Sequence, residues 1–268
     1  MRNKFIWSIS LLLVTIGLQS FVYQKNQLSD KNPNKEFYQI TIYRYNRPQQ
    51  ELVLDNYLQN ALLPALHRLG IKNIGIFKDI ANDTTELKKI YVIIPATSVE
   101  KLYTITDKLS GDKEYQQAAA TYINAPVTAP PYNRVEKILL KSFKLAPTLK
   151  LPTLSGPRND RVYELRSYES ATEKIFQNKL HMFNEGDEIG LFERLNFNAI
   201  FYTEVIAGSK MPNLMYMTSF ENMQQRNEHW KKFSDDPYWK KLTSMPEYQQ
   251  NVSHIDISFL RPTEYSDY

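Results

Sequence analysis

Apolar and polar residues recur at fixed spacings along this chain, and these spacings predict its secondary structure. Residues 37–45 alternate β-branched and aromatic residues with polar ones, which is the period of a half-buried strand. Residues 49–69 carry apolar residues at helical spacing, with a predicted kink at Pro64 and an end at Gly70. The same reasoning predicts strands over 72–78, 88–94 and 135–143, and helices over 99–109 and 112–122.

The second part of the chain repeats this order, with strands predicted over 162–168, 199–206, 214–220 and 253–260, and helices over 171–195 and 222–233. Short strings recur as well, since Phe37–Tyr43 is echoed by Val162–Tyr168 and Leu109–Asp112 by Phe233–Asp236. Strand, helix, strand, strand, helix, strand is the order of a ferredoxin-like α+β unit. We therefore predict two tandem ferredoxin-like domains that superpose, and a single continuous barrel or an all-helical half would contradict this repeat.

The ends and the middle of the chain are predicted to be targeting or connecting segments. Residues 1–20 predict a signal peptide, because Arg2 and Lys4 precede an apolar stretch that is short for a membrane span; an uncleaved anchor is the alternative. Composition predicts a flexible lead-in over 21–36, a proline-rich linker over 144–160 and a tail over 263–268. The two domains are thus expected at 37–143 and 161–262.

The composition narrows the classes of function. The chain has no cysteine, which excludes disulfides, thiolate nucleophiles and iron–sulfur ligation. Its formal net charge of +4 is small and evenly spread, so nucleic acid is not an expected partner. No stretch after the signal is apolar enough to span a membrane. We therefore expect an exported, soluble protein that is periplasmic or secreted.

Four strings in the second half resemble the NIPSNAP family. They are Val162–Tyr168, His181–Gly186, Met211–Met217, and Trp230 followed by Phe233, Asp236, Pro237 and Trp239. The resemblance covers roughly residues 161–260. The first half keeps the outline but lacks the Asn-Glu-Gly, Met-Pro-Asn and double-Trp strings, so it looks like a diverged duplicate.

The resemblance implies a fold of the dimeric α+β-barrel type, in which two ferredoxin-like sheets pack face to face. Here the two halves would form an intramolecular pseudo-dimer, with further self-association or a protein partner also expected. The resemblance does not imply one activity. Eukaryotic relatives look like mitochondrial interaction proteins, while the wider superfamily contains small monooxygenases, haem-degrading enzymes and lyases, so it fixes the fold better than the function.

Polar side chains of the second half suggest a ligand pocket. His181 and Glu185 are four residues apart on one helical face, where they could ligate a metal, act as an acid–base pair, or form only a solvated surface. Arg166 shares a strand face with Glu164, where it either binds an anion or pairs with Glu164 or Glu204 on the solvent side. We predict that Arg166, His181 and Glu185 converge with Tyr202 on one concavity of the second half.

Large aromatic side chains complete the set of candidates. Tyr163, Tyr202 and Tyr216 each combine an apolar ring with a polar tip, so they either line a pocket for a flat or apolar ligand or belong to the core. Trp230 and Trp239 are expected to be structural, because their spacing places them over the sheet.

Two functions of different classes stay open. The leading one is a NIPSNAP-like binding or interaction protein with a small-molecule pocket in the second domain and no defined reaction. The alternative is a cofactor-poor enzyme of the monooxygenase or lyase type that uses the same pocket. No cofactor can be named, and no histidine spacing predicts a metal site. A cleft with a buried His or Glu favours the enzyme, whereas a filled apolar sheet interior favours the binding protein.

Overall fold

A computed structural model describes residues 35–268, so the predicted signal peptide and nearly all of the lead-in lie outside the described residues. The strands occur close to their predicted positions. They are β1 (Phe37–Tyr45), β2 (Gly75–Asp79), β3 (Lys88–Ala96), β4 (Arg134–Ser142), β5 (Val162–Glu169), β6 (Ala199–Ala207), β7 (Asn213–Phe220) and β8 (His254–Pro262).

Helices follow the predicted pattern with additional breaks. Those of the first half are α1 (Pro48–Tyr57), α2 (Leu63–Arg68), α3 (Val99–Tyr103), α4 (Ile105–Gly111), α5 (Lys113–Ala118) and α6 (Ala120–Ile123). Those of the second half are α7 (Glu173–Asn184), α8 (Glu188–Arg194), α9 (Met223–Asp235) and α10 (Pro237–Ser244). A π-helical turn, Leu58–Leu62, joins α1 to α2, so the long predicted helix changes its winding just before Pro64.

The helix predicted over 171–195 is interrupted between α7 and α8. Asp187 has a φ of 57°, and a Cβ atom on Gly186 would lie 2.5 Å from the backbone oxygen of Met182. Gly186 therefore marks a helix break at a close backbone contact. The start of α10 is capped by Asp236, whose carboxylate accepts hydrogen bonds from the backbone amides of Tyr238 and Trp239 after Pro237.

All eight strands belong to one closed barrel in the order β1-β3-β2-β8-β5-β7-β6-β4. Each half contributes four neighbouring strands in the same internal order, β4-β1-β3-β2 and β8-β5-β7-β6. The two sheets do not face each other as separate layers, because β2 pairs with β8 and β4 pairs with β6. The prediction of two separate tandem domains is therefore not confirmed, because the halves are joined edge to edge into a single continuous barrel; the inner faces of both halves pack together in its interior.

Three buried clusters follow from this arrangement. The barrel interior is an apolar core to which both halves contribute, for example through Ile40 and Ile93 from one half and Leu165 and Met217 from the other. Outside the barrel, a second cluster lies between the first-half strands and α1–α6. A third cluster lies between the second-half strands and α7–α9. The covering helices thus create one sheet–helix space on each half.

The last strand differs from its sequence pattern. Ile255 and Ile257 alternate with Asp256 and Ser258, a pattern that predicts a buried apolar face, but the two isoleucines are 45% and 42% exposed. Asp256 and Ser258 instead line one opening of the barrel. The reason is that positions facing inward at the open end of a barrel meet water, so polar residues are tolerated there.

The connecting segments are packed against the barrel. In the linker, the backbone amide of Lys150 donates to the carbonyl of Ile200 at 2.9 Å. In the predicted tail, the amide of Asp267 donates to the carbonyl of Ile74 at 3.1 Å, and the ring of Tyr268 is buried. None of the helices within residues 35–268 is both long and apolar enough to cross a bilayer.

Candidate functional site

The sheet–helix space of the second half is closed around a buried carboxylate. Glu164 is fully buried, and its two oxygens accept four hydrogen bonds. The donors are Arg166 Nε at 2.7 Å, Arg226 Nε and Nη2 at 2.8 Å, and Trp230 Nε1 at 2.7 Å. Burial alone would raise the pKa of Glu164, but the hydrogen bonds and charges of the two arginines outweigh it and lower the pKa. All four acceptor positions of the carboxylate are used, so it has no position left for a ligand.

Arg166 is held inside this layer as well. Its guanidinium carbon lies 3.6 Å from the centre of the Trp230 ring, and its Nη1 donates to Tyr168 Oη at 3.0 Å. The predicted pairing with Glu164 is therefore confirmed, but it occurs beneath the helices rather than on the solvent side. The other predicted partner, Glu204, pairs with Lys141 at 2.9 Å.

A second buried ion pair lies in the same layer. Lys179 Nζ is 2.9 Å from Glu188 Oε2, and the two side chains are 4% and 2% exposed. Burial raises the pKa of Glu188, and the Lys179 charge opposes that rise. The Tyr216 hydroxyl is 2.9 Å from the Tyr168 hydroxyl. The layer is thus polar but largely satisfied by its own groups.

Five of the six predicted pocket residues fall into three places. Arg166 and Tyr216 are buried in this layer, while Tyr163 lies inside the barrel. His181 on α7 and Glu185 just after its last residue are exposed, and His181 Nδ1 is 2.8 Å from the Tyr248 hydroxyl.

Of the four residues predicted to converge, Tyr202 alone lines the cleft of about 310 Å³ between α8, β6 and the linker. Its buried hydroxyl has no hydrogen-bond partner within residues 35–268. The structure does not bring Arg166, His181 and Glu185 to that cleft, and whether any of the six candidates binds a ligand stays a prediction.

The first half carries small side chains where the second half carries large ones. Thr41 pairs with Val92 across β1 and β3, in the register in which Arg166 pairs with Tyr216 across β5 and β7. Thr106 lies three residues before Leu109, as Trp230 lies three residues before Phe233 in the matching string. An arginine, a tyrosine and a tryptophan are thus replaced by two threonines and a valine, which leaves space between sheet and helices.

That space is an open cleft of about 500 Å³, which we name the tyrosine cleft. It lies between β1, β3 and β4 on one side and the helices of the first half on the other. Its lining consists of Gln39, Thr41, Tyr43, Tyr57, Leu62, Val92, Ile94, Ile105, Thr106, Leu109, Ser110, Tyr115, Gln116, Tyr122, Ile123, Tyr132, Val135 and Lys137.

Five tyrosines give the cleft its character. The rings of Tyr57 and Tyr122 stack with centroids 3.7 Å apart and planes 5° apart, and the hydroxyls of Tyr57 and Tyr115 are 3.1 Å apart. The Tyr43 centroid is 6.4 Å from that of Tyr122 and 5.8 Å from that of Tyr132. Aromatic faces and hydroxyl groups are therefore held next to one cavity.

The electrostatics of the cleft are simple. Burial raises the pKa of Tyr43 to about 12, and it also raises the pKa values of Tyr57, Tyr115 and Tyr122. These phenols stay neutral at neutral pH and are able to donate hydrogen bonds. Among the described residues that line the cleft, Lys137 is the one charged side chain, and none carries a carboxylate or an imidazole.

A different group of side chains meets at one barrel opening, where a small cavity of about 180 Å³ lies. Glu169, His254 and Asp256 place one possible ligand atom each within 4.8 Å of one another, a donor set that suits divalent metals. The Lys210 ammonium occupies this position, since it contacts Asp256 and lies 3.7 Å from Glu169 Oε1. The lysine charge already offsets the carboxylates there.

Sequence reasoning placed the candidate pocket in the second half and did not predict this cleft in the first half. The signal that would have found it is residue size in the aligned copies, because Thr41 and Thr106 stand where the second half has Arg166 and Trp230. The cluster of Glu169, His254 and Asp256 could not be predicted from residue spacing in the sequence, because Glu169 meets His254 only through the pairing of β5 with β8.

Comparison with solved structures identifies proteins of similar fold. Among solved structures, a putative monooxygenase from Lactobacillus acidophilus is 12% identical with a TM-score of 0.53, over 85% of this chain and 94% of that chain. A putative monooxygenase from Fusobacterium nucleatum is 5% identical with a TM-score of 0.54, over 85% and 92%. At these identities the two similarities show the fold alone, an α+β barrel of the dimeric type.

Similarity to named families is confined to part of the chain. No curated protein matches the chain in sequence. A NIPSNAP family protein of known structure from Agrobacterium tumefaciens is 21% identical over 40% of this chain and 96% of that chain, with a TM-score of 0.35. The family model described as NIPSNAP matches residues 163–267. The resemblance predicted for the second half is thereby confirmed, and this part of the chain matches the NIPSNAP family.

Proposed function

We propose that this protein binds a flat, mostly apolar small molecule in the tyrosine cleft of its first half. The observation that carries the proposal is the replacement of three large side chains of the second half by Thr41, Val92 and Thr106. The space that they leave is bounded by aromatic rings and hydroxyl groups. Such a surface gains apolar burial from a flat ligand and orients it through hydrogen bonds.

Binding fits this cleft better than catalysis does. A reaction that removes a proton from the ligand needs a general base within reach, and no carboxylate or imidazole lines the cleft. The tyrosines hold their protons because burial raises their pKa values. The apolar, filled barrel interior is also the arrangement expected of a binding protein. The enzyme alternative is supported by the similarity in fold to the two putative monooxygenases. A shared fold does not identify catalytic residues.

The second half has a structural role in this proposal. All four acceptor positions of the buried Glu164 carboxylate are used, and Glu188 forms an ion pair with Lys179 at 2.9 Å. A ligand in that layer would have to displace Arg166, Arg226 or Trp230 from Glu164, which leaves buried charge unpaired.

Calorimetric titration with 2-naphthamide and 2-naphthoate tests the proposed function. We expect saturable binding of at least one of these bicyclic probes, and we expect Thr106→Trp to abolish it by refilling the cleft. Thr243→Trp, at an exposed site on α10, is the matched control and should bind like the unaltered protein. Binding that survives Thr106→Trp, or the absence of binding by both probes, would contradict the proposal.

Export is proposed on the pattern of residues 1–20 and is tested by cell fractionation. The full chain should reach the periplasm or the medium, and a chain that starts at residue 21 should stay in the cytoplasm. A full chain retained in the cytoplasm would contradict export.

A pseudo-dimeric origin of the barrel is proposed on the shared strand order of the two halves. Superposition of β1–β4 on β5–β8 in an experimental structure tests it. Halves that fail to superpose would contradict the duplication.

A further inference from the structure

We propose that the ligand of the tyrosine cleft carries an anionic group, of the carboxylate class, which binds Lys137; this inference rests on the proposed function. Lys137 lies on β4, where its backbone pairs with Thr41 of β1. Its side chain is exposed and lines the cleft. Within residues 35–268 it has no ion-pair or hydrogen-bond partner, whereas Glu136 and Lys141 on the same strand are each paired.

The two halves differ in the charged side chains that lie between sheet and helices. In the second half, Glu164 neutralises Arg166 and Arg226 beneath the helices. The position of Glu164 in the repeat is occupied by Gln39 in the first half. The first half thus has no carboxylate at this position, and its cation, Lys137, stands at the register position of Ile257 rather than that of Arg166. An anionic group on the ligand would pair with Lys137 as Glu164 pairs with the arginines of the second half.

The remaining polar groups of the cleft agree with an acceptor-rich ligand. The tyrosine hydroxyls donate, because burial keeps them protonated. Gln39 Nε2 donates to Thr41 Oγ1 at 3.1 Å and so lies next to the lysine strand. A cationic ligand would be repelled by Lys137, and no carboxylate among the described lining residues would offset that repulsion. A neutral ligand would form no ion pair with Lys137.

A pair of isosteric probes tests this inference separately from the proposed function. We expect 2-naphthoate to bind about fivefold or more tightly than 2-naphthamide, since it alone forms a charge-assisted hydrogen bond. Lys137→Met should remove this preference while amide binding persists, and Lys137→Arg should restore it. Lys101→Met removes one exposed charge of the same half outside the lining and should leave the preference intact. The preference should also shrink as salt concentration rises.

The outcomes separate the two proposals. Equal binding of both probes, or a preference that survives Lys137→Met, overturns the anionic ligand and leaves the proposed function standing. Failure of both probes to bind overturns the proposed function and this inference together.

Discussion

At the level of single side chains, Trp230 links α9 to the buried carboxylate of the second half. Its indole donates to Glu164 at 2.7 Å, and its ring covers the Arg166 guanidinium. We expect Trp230→Ala to lower the free energy of unfolding by about 3 kcal/mol. Trp230→Phe keeps most of the ring but loses the hydrogen bond to the carboxylate, so it should cost about 1–3 kcal/mol.

Urea denaturation followed by circular dichroism measures both effects. Tyr103→Ala, at a side chain that is 81% exposed, is the control and should change stability by less than about 0.5 kcal/mol. If Trp230→Ala unfolds at the same urea concentration as the unaltered protein, Trp230 is not structural.

The two buried glutamates are predicted to respond to acid in opposite directions. Folding lowers the pKa of Glu164, so its stabilising contribution is present above the unfolded value of about 4.3 and is lost as the pH falls through the lower folded value. Folding raises the pKa of Glu188, so folding favours its protonated form, and that contribution is lost as the pH rises from about 4.3 through the raised value.

Urea midpoints measured from pH 3 to pH 7 test this opposition. Glu164→Gln should weaken the loss of stability on acidification, and Glu188→Gln should steepen it. The slopes are compared rather than the absolute stabilities, because both substitutions also disturb a buried ion pair. Slopes that change in the same direction would show that the assigned directions are wrong.

At the level of helices and strands, the break between α7 and α8 depends on Gly186. A methyl group there would meet the Met182 carbonyl oxygen at 2.5 Å, so Gly186→Ala should destabilise the protein by about 1–3 kcal/mol. Gly190 is the matched control, because the atoms that its methyl group would meet belong to the Asp187 side chain, which is exposed and held by a single surface contact with Arg194 at 3.3 Å that it can give up by turning away.

Thermal denaturation distinguishes the two glycines. Gly190→Ala should be neutral or stabilising by up to about 1 kcal/mol through helix propensity. If the Gly186→Ala and Gly190→Ala proteins melt at the same temperature, the close contact at Gly186 does not define the break between α7 and α8.

The sequence was sufficient to predict the elements but not how they assemble. Periodicity located every strand to within a few residues, because a half-buried strand needs alternation that neighbouring residues alone supply. The edge-to-edge joining through β2 with β8 and β4 with β6 depends on residues far apart in the chain, which local patterns do not encode. The exposed Ile255 and Ile257 were misplaced for the same reason, since their alternation does not say which face the helices cover.

The site was harder to predict than the fold. The strings that resemble NIPSNAP drew attention to the second half, where Arg166 and Trp230 turn out to fill the sheet–helix space. The open cleft lies in the copy that lacks those strings. The cleft exists because Thr41 and Thr106 are smaller than Arg166 and Trp230 of the second half. This difference in size is present in the aligned copies, but whether it leaves open space depends on how the helices pack over the sheet.

The closed barrel predicts that the two halves unfold together. Each half supplies edge strands to the other, and the interior core contains residues of both. Fluorescence of Trp230 and Trp239 reports on the second half once Trp7 is replaced by Phe, whereas far-ultraviolet circular dichroism reports on both halves. We expect coincident transitions in urea, and two separated transitions would contradict a shared core.

Location of a bound ligand decides whether the tyrosine cleft is the functional site of the folded protein. Crystals grown with 6-bromo-2-naphthoate, measured at the bromine absorption edge, give the position of the bromine atom without prior assumptions. We expect a single anomalous peak between β1, β3 and the helices of the first half, with the carboxylate directed to Lys137. A peak in the second half or at the barrel opening, or no peak at saturating ligand, would contradict the assignment of the cleft as the binding site.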